Sequence, residues 1–227
     1  MNLDVFIKGE LIDLCIPTPE YAKESDWYSW FNNPKTNKYL EQGMFPNTRE
    51  DELAFYESER HKRLLLAVLD KKGTNLGVVS LSFIDFAKRR ADVGLVLSDK
   101  DREPLCALEA MARITEHAFT VMGMVRIQGG HHCKLKPWGN LLELIGYRNE
   151  GIWVNGFLKG SEVCNGHRNA INIDDYKRIV EKRGSLWDSN ANMMKRVRKM
   201  PKKCYVDMLY DFYNTTREDY YQEVFNL

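Results

Sequence analysis

Two places in the sequence carry side chains suited to proton transfer. One is the run His131-His132-Cys133, and the other is Asp92, a carboxylate inside an alternating apolar stretch. An unperturbed imidazole titrates near pH ~6.5, so either histidine can donate or accept a proton under physiological conditions. A carboxylate beside a bound amine can remove a proton from it, which makes the amine nucleophilic. These residue types indicate acid–base chemistry.

The histidine pair followed by a cysteine also contains residue types that bind metal ions. Adjacent residues rarely ligate one ion, however, and no fourth ligand follows at a suitable spacing. The five cysteines are scattered, odd in number and without a CxxC pair, which argues against a disulfide framework and a structural zinc site. They are Cys15, Cys106, Cys133, Cys164 and Cys204. We therefore expect loop histidines, no metal and a reducing, cytoplasmic location.

Composition is typical of globular proteins. Of the 227 residues, 44% are hydrophobic and 29% charged, and the net charge of +1 gives no global attraction to nucleic acid or to an anionic membrane. No apolar run approaches the ~20 residues needed to cross a bilayer. A basic stretch at 195–203 could contact phosphates, but such a stretch is more often a solvated helix face. We expect neither a membrane nor a nucleic-acid partner.

Three consecutive strand patterns position Asp92. Residues 64–69 form a continuous apolar run, whereas residues 76–83 and 91–97 alternate apolar and polar side chains. Short polar turns join the three patterns, which predicts an antiparallel meander. Because side chains alternate along a strand, Asp92 lies on the face opposite Val93, and it would face a cleft if Val93 packs inward.

Helical patterns flank the meander. One begins at Thr18-Pro19, another begins at Thr48 with a pattern that resembles a capping box, and a long amphipathic helix follows from Cys106 to Gly123. The later predicted elements are a strand at 125–128, a short helix at 138–144, and strands at 147–154 and 170–173. Only helical patterns follow Asp174. We therefore expect a main domain at 1–173 and a helical C-terminal extension at 174–227.

The order of these elements resembles the GNAT acyltransferases, and most of the predicted main domain takes part. The segments that carry the resemblance are Trp30-Phe31-Asn32-Asn33-Pro34, Phe45-Pro46-Asn47-Thr48-Arg49-Glu50, Ala91-Asp92-Val93-Gly94-Leu95-Val96-Leu97, Ala107-Leu108-Glu109-Ala110 and Leu144-Ile145-Gly146-Tyr147-Arg148-Asn149-Glu150-Gly151. They are most similar to the branch that acetylates amino sugars and ribosomal-protein N-termini. The resemblance implies an α/β fold with a mixed, mostly antiparallel twisted sheet of about seven strands flanked by helices.

The same resemblance implies a function. A GNAT enzyme transfers an acetyl or similar acyl group from CoA to a primary amine by direct attack in a ternary complex. Acetyl-CoA is therefore the expected co-substrate, with no metal, and the expected acceptor is an amino sugar or the N-terminus of a protein or peptide. The resemblance leaves a homodimer open. A catalytically silent GNAT-like domain that acts in binding or assembly is the alternative.

In the family, a loop of pattern Q/R-x-x-G-x-G/A binds the CoA pyrophosphate through backbone N–H groups at a helix N-terminus. The aligned hexapeptide begins at Arg102 and ends at Ala107, and both of these residues fit the pattern. Leu105 replaces the middle glycine, Pro104 has no N–H to donate, and Glu103 adds a negative charge. An ordinary strand-to-helix loop is the alternative explanation of this segment.

The pantetheine arm of CoA also has an implied position. In the family, the third meander strand and the strand that follows the long helix splay apart, and exposed amides hold the arm as an added strand is held. The amide nearest the thioester carbonyl stabilises the oxyanion. By position, the implied cofactor-binding residues are Leu95, Val96, Leu97, Ser98, Arg102, Leu105, Cys106, Ala107 and Asn140.

Asp92 occupies the position where relatives often carry an acidic residue that acts directly or through water. The resemblance therefore implies that Asp92 is the general base. The other interpretation is a solvated carboxylate, or one that forms an ion pair with the neighbouring Arg89 and Arg90. Both explanations remain open from the sequence.

Two family side chains are replaced in this sequence. The tyrosine that protonates the leaving thiolate aligns with Leu142, so His131 or His132 is expected to take its place. No acid is needed if the thiolate, whose parent thiol has a pKa near ~8.5, leaves unaided. The family asparagine aligns near Leu135, and Asn140 is the candidate that compensates for it.

An aromatic cluster precedes the second predicted helix. If the family arrangement holds, Trp27, Trp30 and Phe31 cover the acceptor side of the cleft, where they could stack on a sugar ring or a peptide. Ordinary core packing is the other explanation, and it applies to at least part of the cluster.

Overall fold

Eight strands form one sheet in the computed structural model, which describes residues 2–226. The strands are β1 (Val5–Lys8), β2 (Ile12–Cys15), β3 (Leu64–Asp70), β4 (Asn75–Asp85), β5 (Arg90–Leu97), β6 (Arg126–His132), β7 (Arg148–Lys159) and β8 (Glu162–Asn172). The helices are α1 (Pro19–Glu24), α2 (Trp27–Trp30), α3 (Pro34–Asn37), α4 (Arg49–Glu59), α5 (Cys106–Thr120), α6 (Lys136–Glu143), α7 (Ile173–Arg183), α8 (Asn190–Arg198), α9 (Tyr205–Thr215) and α10 (Arg217–Phe225).

The strand order is β1-β2-β3-β4-β5-β6-β8-β7, and every neighbouring pair is antiparallel except β5 and β6. The long helix α5 connects the two parallel strands, as a parallel pair requires a crossover. The α/β fold with a mixed, mostly antiparallel sheet is therefore confirmed. The sheet has eight strands.

The parallel pair is short. β5 and β6 pair only at Arg90↔Arg126, Ala91↔Ile127 and Asp92↔Gln128. Beyond that point β5 stays paired with β4 as far as Leu97, and β6 stays paired with β8 as far as His132. The two strands therefore diverge into a wedge, which the resemblance predicted.

Two apolar layers cover the two faces of the sheet. Helix α5 packs on one face, where the partly buried Val93 and Leu95 join the larger core. Helices α1, α2 and α4 cover the other face, where Val78, Val96 and Trp27 belong to a second, smaller core. The alternation in β5 therefore separates its side chains as the sequence predicts, with Asp92 on the face of Val96.

The predicted helix starts are confirmed. Thr18 caps α1 by accepting from the N–H of Tyr21, with Pro19 at the first helical position. Thr48 and Asp51 form a capping box at the start of α4, in which each side chain binds the backbone N–H of the other residue. These local contacts satisfy amides that a helix leaves unpaired at its N-terminus.

Three strands extend well beyond their predicted bounds, and one of them is β7, which continues past 154 to Lys159. β6 continues to His132, so His131 and His132 lie in a strand and the expectation of loop histidines is wrong. β8 begins at Glu162, well before the predicted 170–173. The early part of β8 is polar and pairs with β7 in an outlying hairpin. Because the added parts of β6 and β8 contain no apolar run, the periodicity of the sequence did not predict them.

The chain after residue 172 is helical, as expected. Leu186, Trp187 and Met193 are nevertheless part of the larger core, and the indole Nε1 of Trp187 donates to the Glu10 carboxylate over 2.9 Å. The division into domains at 1–173 and 174–227 remains a prediction. In the 195–203 stretch, Arg196 pairs with Asp188. Among residues 2–226, no helix has the length and apolar character needed to cross a membrane.

One buried carboxylate joins α5 to the first hairpin. Glu109 is fully buried, and its two oxygens accept the backbone N–H groups of Glu10 at 2.5 Å and Leu11 at 2.7 Å. The Arg113 guanidinium donates to the same carboxylate over 3.0 Å. Hydrogen bonds and an ion pair thus compensate the burial of this charge.

Replacement of this carboxylate should destabilise the fold. Glu109→Ala leaves two backbone N–H groups and Arg113 without their acceptor, so we expect a loss of about 3 kcal/mol in the free energy of unfolding. Urea denaturation measures it. Glu57→Ala, at an exposed position of α4, is the control and should change stability by less than about 0.5 kcal/mol. Equal effects of the two substitutions would show that Glu109 is not a structural link.

Candidate active site

The wedge between β5 and β6 opens into a cavity of about 820 Å³. Both strands contribute to its wall, β5 through residues 93–96 and β6 through residues 129–131. Helix α4, both ends of α2 and the loop at 39–47 close the opposite side. The cavity therefore reaches from unpaired strand edges, where a chain-like ligand can be held by backbone groups, to a pocket formed by helices.

The predicted arm-binding residues divide into two groups. Leu95 and Val96 line the cavity, as the resemblance implies. Leu97 and Ser98 are not among the lining residues, and Ser98 donates both its N–H and its hydroxyl to the carbonyl of Leu76, over 2.8 and 3.1 Å. The amide of Ser98 is therefore engaged within the fold.

A second cavity of about 550 Å³ lies over the N-terminus of α5 and is lined by residues 99–108, Trp138 and Leu141. Leu105 has a φ of 70°, in the left-handed region where glycine is favoured, so the backbone keeps the shape of the glycine loop. Its side chain packs partly buried against the larger core. The loop therefore retains its turn despite the substitution.

The polar groups of the second cavity are less favourable to phosphate than its backbone shape is. The N–H of Cys106 donates to the carbonyl of Glu103 over 3.3 Å, which leaves Ala107 and the residue after it to supply first-turn amides. The guanidinium of Arg102 donates to the carbonyls of Ser98 and Lys100. Three acidic residues also line this cavity, at positions 99, 101 and 103. The second cavity therefore lies at a helix N-terminus whose positive potential is reduced by neighbouring acidic residues.

Asp92 lies at the closed end of the wedge. Its carboxylate accepts the side-chain amide of Gln128 over 2.8 Å, across the last pair that β5 and β6 share. Asp92 is not among the cavity-lining residues, although its neighbour Val93 is. No ion pair joins it to Arg89 or Arg90 within residues 2–226. Its role as the base remains a prediction.

His131 lines the cavity from β6. Its Nδ1 lies 3.1 Å from the carbonyl of His132, so Nδ1 carries the proton, while Nε2 is buried and has no hydrogen-bond partner among the described residues. Burial lowers the pKa of His131, against a smaller opposing effect of that hydrogen bond. The neutral form that results can accept a proton more readily than donate one. The acid role remains a prediction.

Glu52 is a cavity residue that the sequence pattern did not single out. It lies on α4 with 2% of its surface exposed, in the wall of the first cavity. Its Oε2 accepts from the side-chain amide of Asn47 over 2.7 Å, whereas its Oε1 has no partner among the described residues. Burial raises its pKa from about 4.5 to about 7. In the sequence, its position four residues before Tyr56 indicates that both side chains lie on the same face of the helix.

A family model described as an acetyltransferase (GNAT) domain matches residues 14–148, more than half of the chain. The chain belongs to the GNAT acetyltransferase family. No curated protein sequence matches this acetyltransferase significantly.

Solved structures share the fold of this GNAT acetyltransferase. A spermidine N-acetyltransferase from Vibrio cholerae in complex with CoA and spermine has a TM-score of 0.66 at 17% identity, and covers 74% of this chain and 99% of its own. A microcin self-immunity acetyltransferase in complex with acetyl-CoA and AMP has a TM-score of 0.62 at 22% identity, with coverages of 73% and 94%. A GNAT acetyltransferase from Bacillus anthracis has a TM-score of 0.61 at 22% identity, with coverages of 73% and 97%.

The remaining predicted residues lie in different surroundings. Trp27 and Phe31 line the first cavity, whereas Trp30 is buried in the core and is not a lining residue. Leu142 lines that cavity at the position of the family tyrosine. Asn140 lines neither cavity, so its predicted role in cofactor binding stays a prediction. The substrate-binding roles remain predictions.

The fold brings together a cluster that the sequence spacing did not reveal. His132, Cys133 and Cys164 have their ligand-type atoms within 4.8 Å of one another, because β8 lies beside β6. The N–H of Lys134 donates to Nδ1 of His132 over 3.0 Å, which leaves the proton on Nε2, 3.1 Å from the Cys164 sulfur. A proton on Nε2 opposes metal ligation there. The absence of a metal remains a prediction.

The raised pKa of Glu52 predicts a pH-dependent stability. The folded state keeps this proton up to about pH 7, whereas the unfolded chain loses it near 4.5. Stability should therefore fall as pH rises between these values, by on the order of 3 kcal/mol. Glu52→Gln removes the titration, so the variant should gain stability relative to the wild type over this window. Unfolding midpoints at pH 4.5 and pH 8 measure the difference. Glu57→Gln should leave the wild-type dependence intact.

Proposed function

We propose that the protein transfers an acetyl group from acetyl-CoA to the primary amine of an amino sugar or of a protein or peptide N-terminus, by direct attack in a ternary complex. The observation that supports this most is the loss of strand pairing after Asp92↔Gln128, with a cavity lined by both separated strands. A wedge of this kind offers strand-edge amides to the pantetheine arm and leaves the other side free for the acceptor.

The residues of the wedge fit the arm of acetyl-CoA better than they fit its phosphates. Leu95 and Val96 lie along the open edge of β5, where the arm would bind. At the phosphate end, the turn at Leu105 and the remaining amides at the start of α5 supply donors, while Glu103 opposes an anion. The second cavity is therefore the proposed position of the pyrophosphate.

The reaction needs two proton transfers. The bound ammonium group loses one proton to a base, for which Asp92 is the candidate, either directly or through a water molecule. The free amine attacks the thioester carbonyl, and an N–H of the β5 edge stabilises the oxyanion. Collapse breaks the C–S bond, and the second proton of the attacking nitrogen passes to the thiolate, either directly or through His131, whose Nε2 would accept that proton from the nitrogen and then give it to the sulfur. The products are an acetamide and the CoA thiol.

The alternative is a catalytically silent GNAT-like domain. The acidic residues and Pro104 around the second cavity favour it, because they weaken the binding of phosphates. Binding of acetyl-CoA separates this alternative from the enzyme.

Acetyl-CoA should stabilise the protein. At 100 times its dissociation constant, a ligand specific to the folded state adds about 2.7 kcal/mol, which a thermal shift detects. Gly129→Val should abolish the shift, because a Cβ at Gly129 would lie 3.2 Å from the Val93 carbonyl, inside the wedge. Gly151→Val is the control, since a Cβ there meets nothing within 4 Å. No shift of the wild type at millimolar acetyl-CoA would favour the silent domain.

Asp92→Asn should lower kcat by roughly 100-fold or more, because the amide keeps an oxygen for Gln128 but cannot accept the proton of the amine. Rates of CoA release at saturating concentrations of both substrates test this. Asp174→Asn, at an exposed position of α7, serves as the control. An unchanged kcat in Asp92→Asn would remove Asp92 from the mechanism and leave the acetyl transfer itself unaffected.

A further inference from the structure

On the side formed by helices, the wall of the first cavity contains a carboxylate with one oxygen that accepts no hydrogen bond from the described residues. Glu52 is almost fully buried there, and Asn47 holds only its Oε2. Asn47 is itself fixed by Asn32, which accepts its N–H over 2.8 Å and donates to its carbonyl over 2.7 Å. The carboxylate is thus oriented by a rigid donor while Oε1 is left without a partner among the described residues. A buried acceptor of this kind is normally satisfied by a ligand, water or ion.

The surrounding charges favour a cation as that ligand. Three acidic residues line the cavity, Glu41, Asp51 and Glu52. Arg63 also lines it, but its guanidinium already pairs with Glu59 outside the cavity and lies over the Phe55 ring. His131 also lines the cavity, and it is neutral because burial lowers its pKa. The helical side of the cavity therefore has an excess of negative charge.

The groups that face Glu52 do not neutralise it. On its own helix, Asp51 stays ionised because its hydrogen bonds with Thr48 lower its pKa. From α1, Tyr21 faces it, and burial raises the pKa of that phenol, so it stays neutral. Glu41 from the loop and His131 from β6 line the same cavity. Once ionised, Glu52 has no cationic partner within residues 2–226.

Aromatic and aliphatic side chains form most of the remaining wall on the helical side, while the polar Ser80, Ser82 and Asn169 lie on the strands. The aromatic rings that line the cavity are those of Trp27, Phe31, Tyr39, Phe45, Phe55 and Trp138. On the loop that frames the cavity, Met44 and Phe45 are 61% and 83% exposed, so a large apolar surface stands beside the acidic site. Aromatic faces bind both cations and apolar side chains. A sugar, by contrast, brings several hydroxyl groups that would need polar partners.

We propose that Glu52 binds the ammonium group of the acceptor, and that this acceptor is a peptide α-amine carried by an apolar N-terminal residue. The inference rests on the proposed acetyl transfer and selects one of its two acceptor classes. Glu52 contributes through binding of the ground state, and the removal of the proton is left to the base. The ion pair places the amine between α4 and the open edge of β5.

The ion pair sets a pH window for binding. Glu52 must be ionised, which happens above about pH 7, and an α-amine must be protonated, which holds below ~8. The KM for the acceptor should therefore be lowest between these values and should rise on either side. In Glu52→Gln the increase of KM on the acidic side should be absent.

A comparison of KM and kcat tests the binding role. With the dipeptide Phe-Ala amide as acceptor at pH 7.5, Glu52→Gln should raise KM roughly 30-fold while kcat stays within about threefold. Glu52→Asp, which keeps the charge, should recover part of the loss. Glu57→Gln, on the same helix but exposed, should behave as the wild type. An unchanged KM in Glu52→Gln, or a loss confined to kcat, would overturn the proposal.

A binding probe separates this inference from the acetyl transfer on which it rests. Benzylamine is a cation at pH 8, and benzyl alcohol is a neutral molecule of nearly the same shape. Benzylamine should raise the unfolding midpoint of the wild type more than benzyl alcohol does, and Glu52→Gln should lose this preference. Should no acceptor be acetylated, the proposed function fails, while a preference that depends on Glu52 still supports the ammonium site. Equal effects of the two probes on the wild type would overturn it.

The acceptor class is tested directly with glucosamine. The proposal expects Phe-Ala amide to exceed glucosamine in kcat/KM by roughly tenfold or more, since only the peptide fills the apolar wall. A greater kcat/KM for glucosamine would overturn the peptide assignment.

Discussion

The site depends on the limited hydrogen bonding between the two parallel strands of the sheet. β5 and β6 share three residue pairs, and each strand then continues along its other neighbour, β4 or β8. Because the antiparallel partners hold both strands in place, the gap cannot close without breaking a longer ladder. The sheet thereby leaves unpaired backbone groups accessible to a ligand. In a fully paired sheet, these groups would form hydrogen bonds with the neighbouring strand.

The two ends of this wedge differ in how far they retain the family chemistry. At the phosphate end, Leu105 adopts the left-handed backbone that a glycine would take more easily, a conformation that costs on the order of 1 kcal/mol for a side chain. The turn is therefore conserved in shape with altered donors and charge. At the acceptor end, helices and an aromatic loop enclose carboxylates. The wedge thus lies between a helix N-terminus with acidic neighbours and a pocket lined by carboxylates.

Proton transfer and acceptor binding are assigned to different carboxylates for a structural reason. Asp92 lies at the closed end of the wedge and is held by Gln128, so its ionised form keeps a hydrogen bond. Glu52 lies in an apolar wall, where ionisation is opposed by burial until a cation arrives. The tasks proposed for these two carboxylates therefore differ because their surroundings differ.

The sequence by itself determined the meander, the long amphipathic helix, the capping of α1 and α4 and the family, because these depend on local periodicity and on motifs within a few residues. Only the tertiary structure decided where β5 and β6 part, that His131 lies in a strand, and that Cys164 approaches His132. It also decided that Glu52 is buried in the cavity. Each of these depends on which strand or helix lies beside another, and no short-range pattern carries that information.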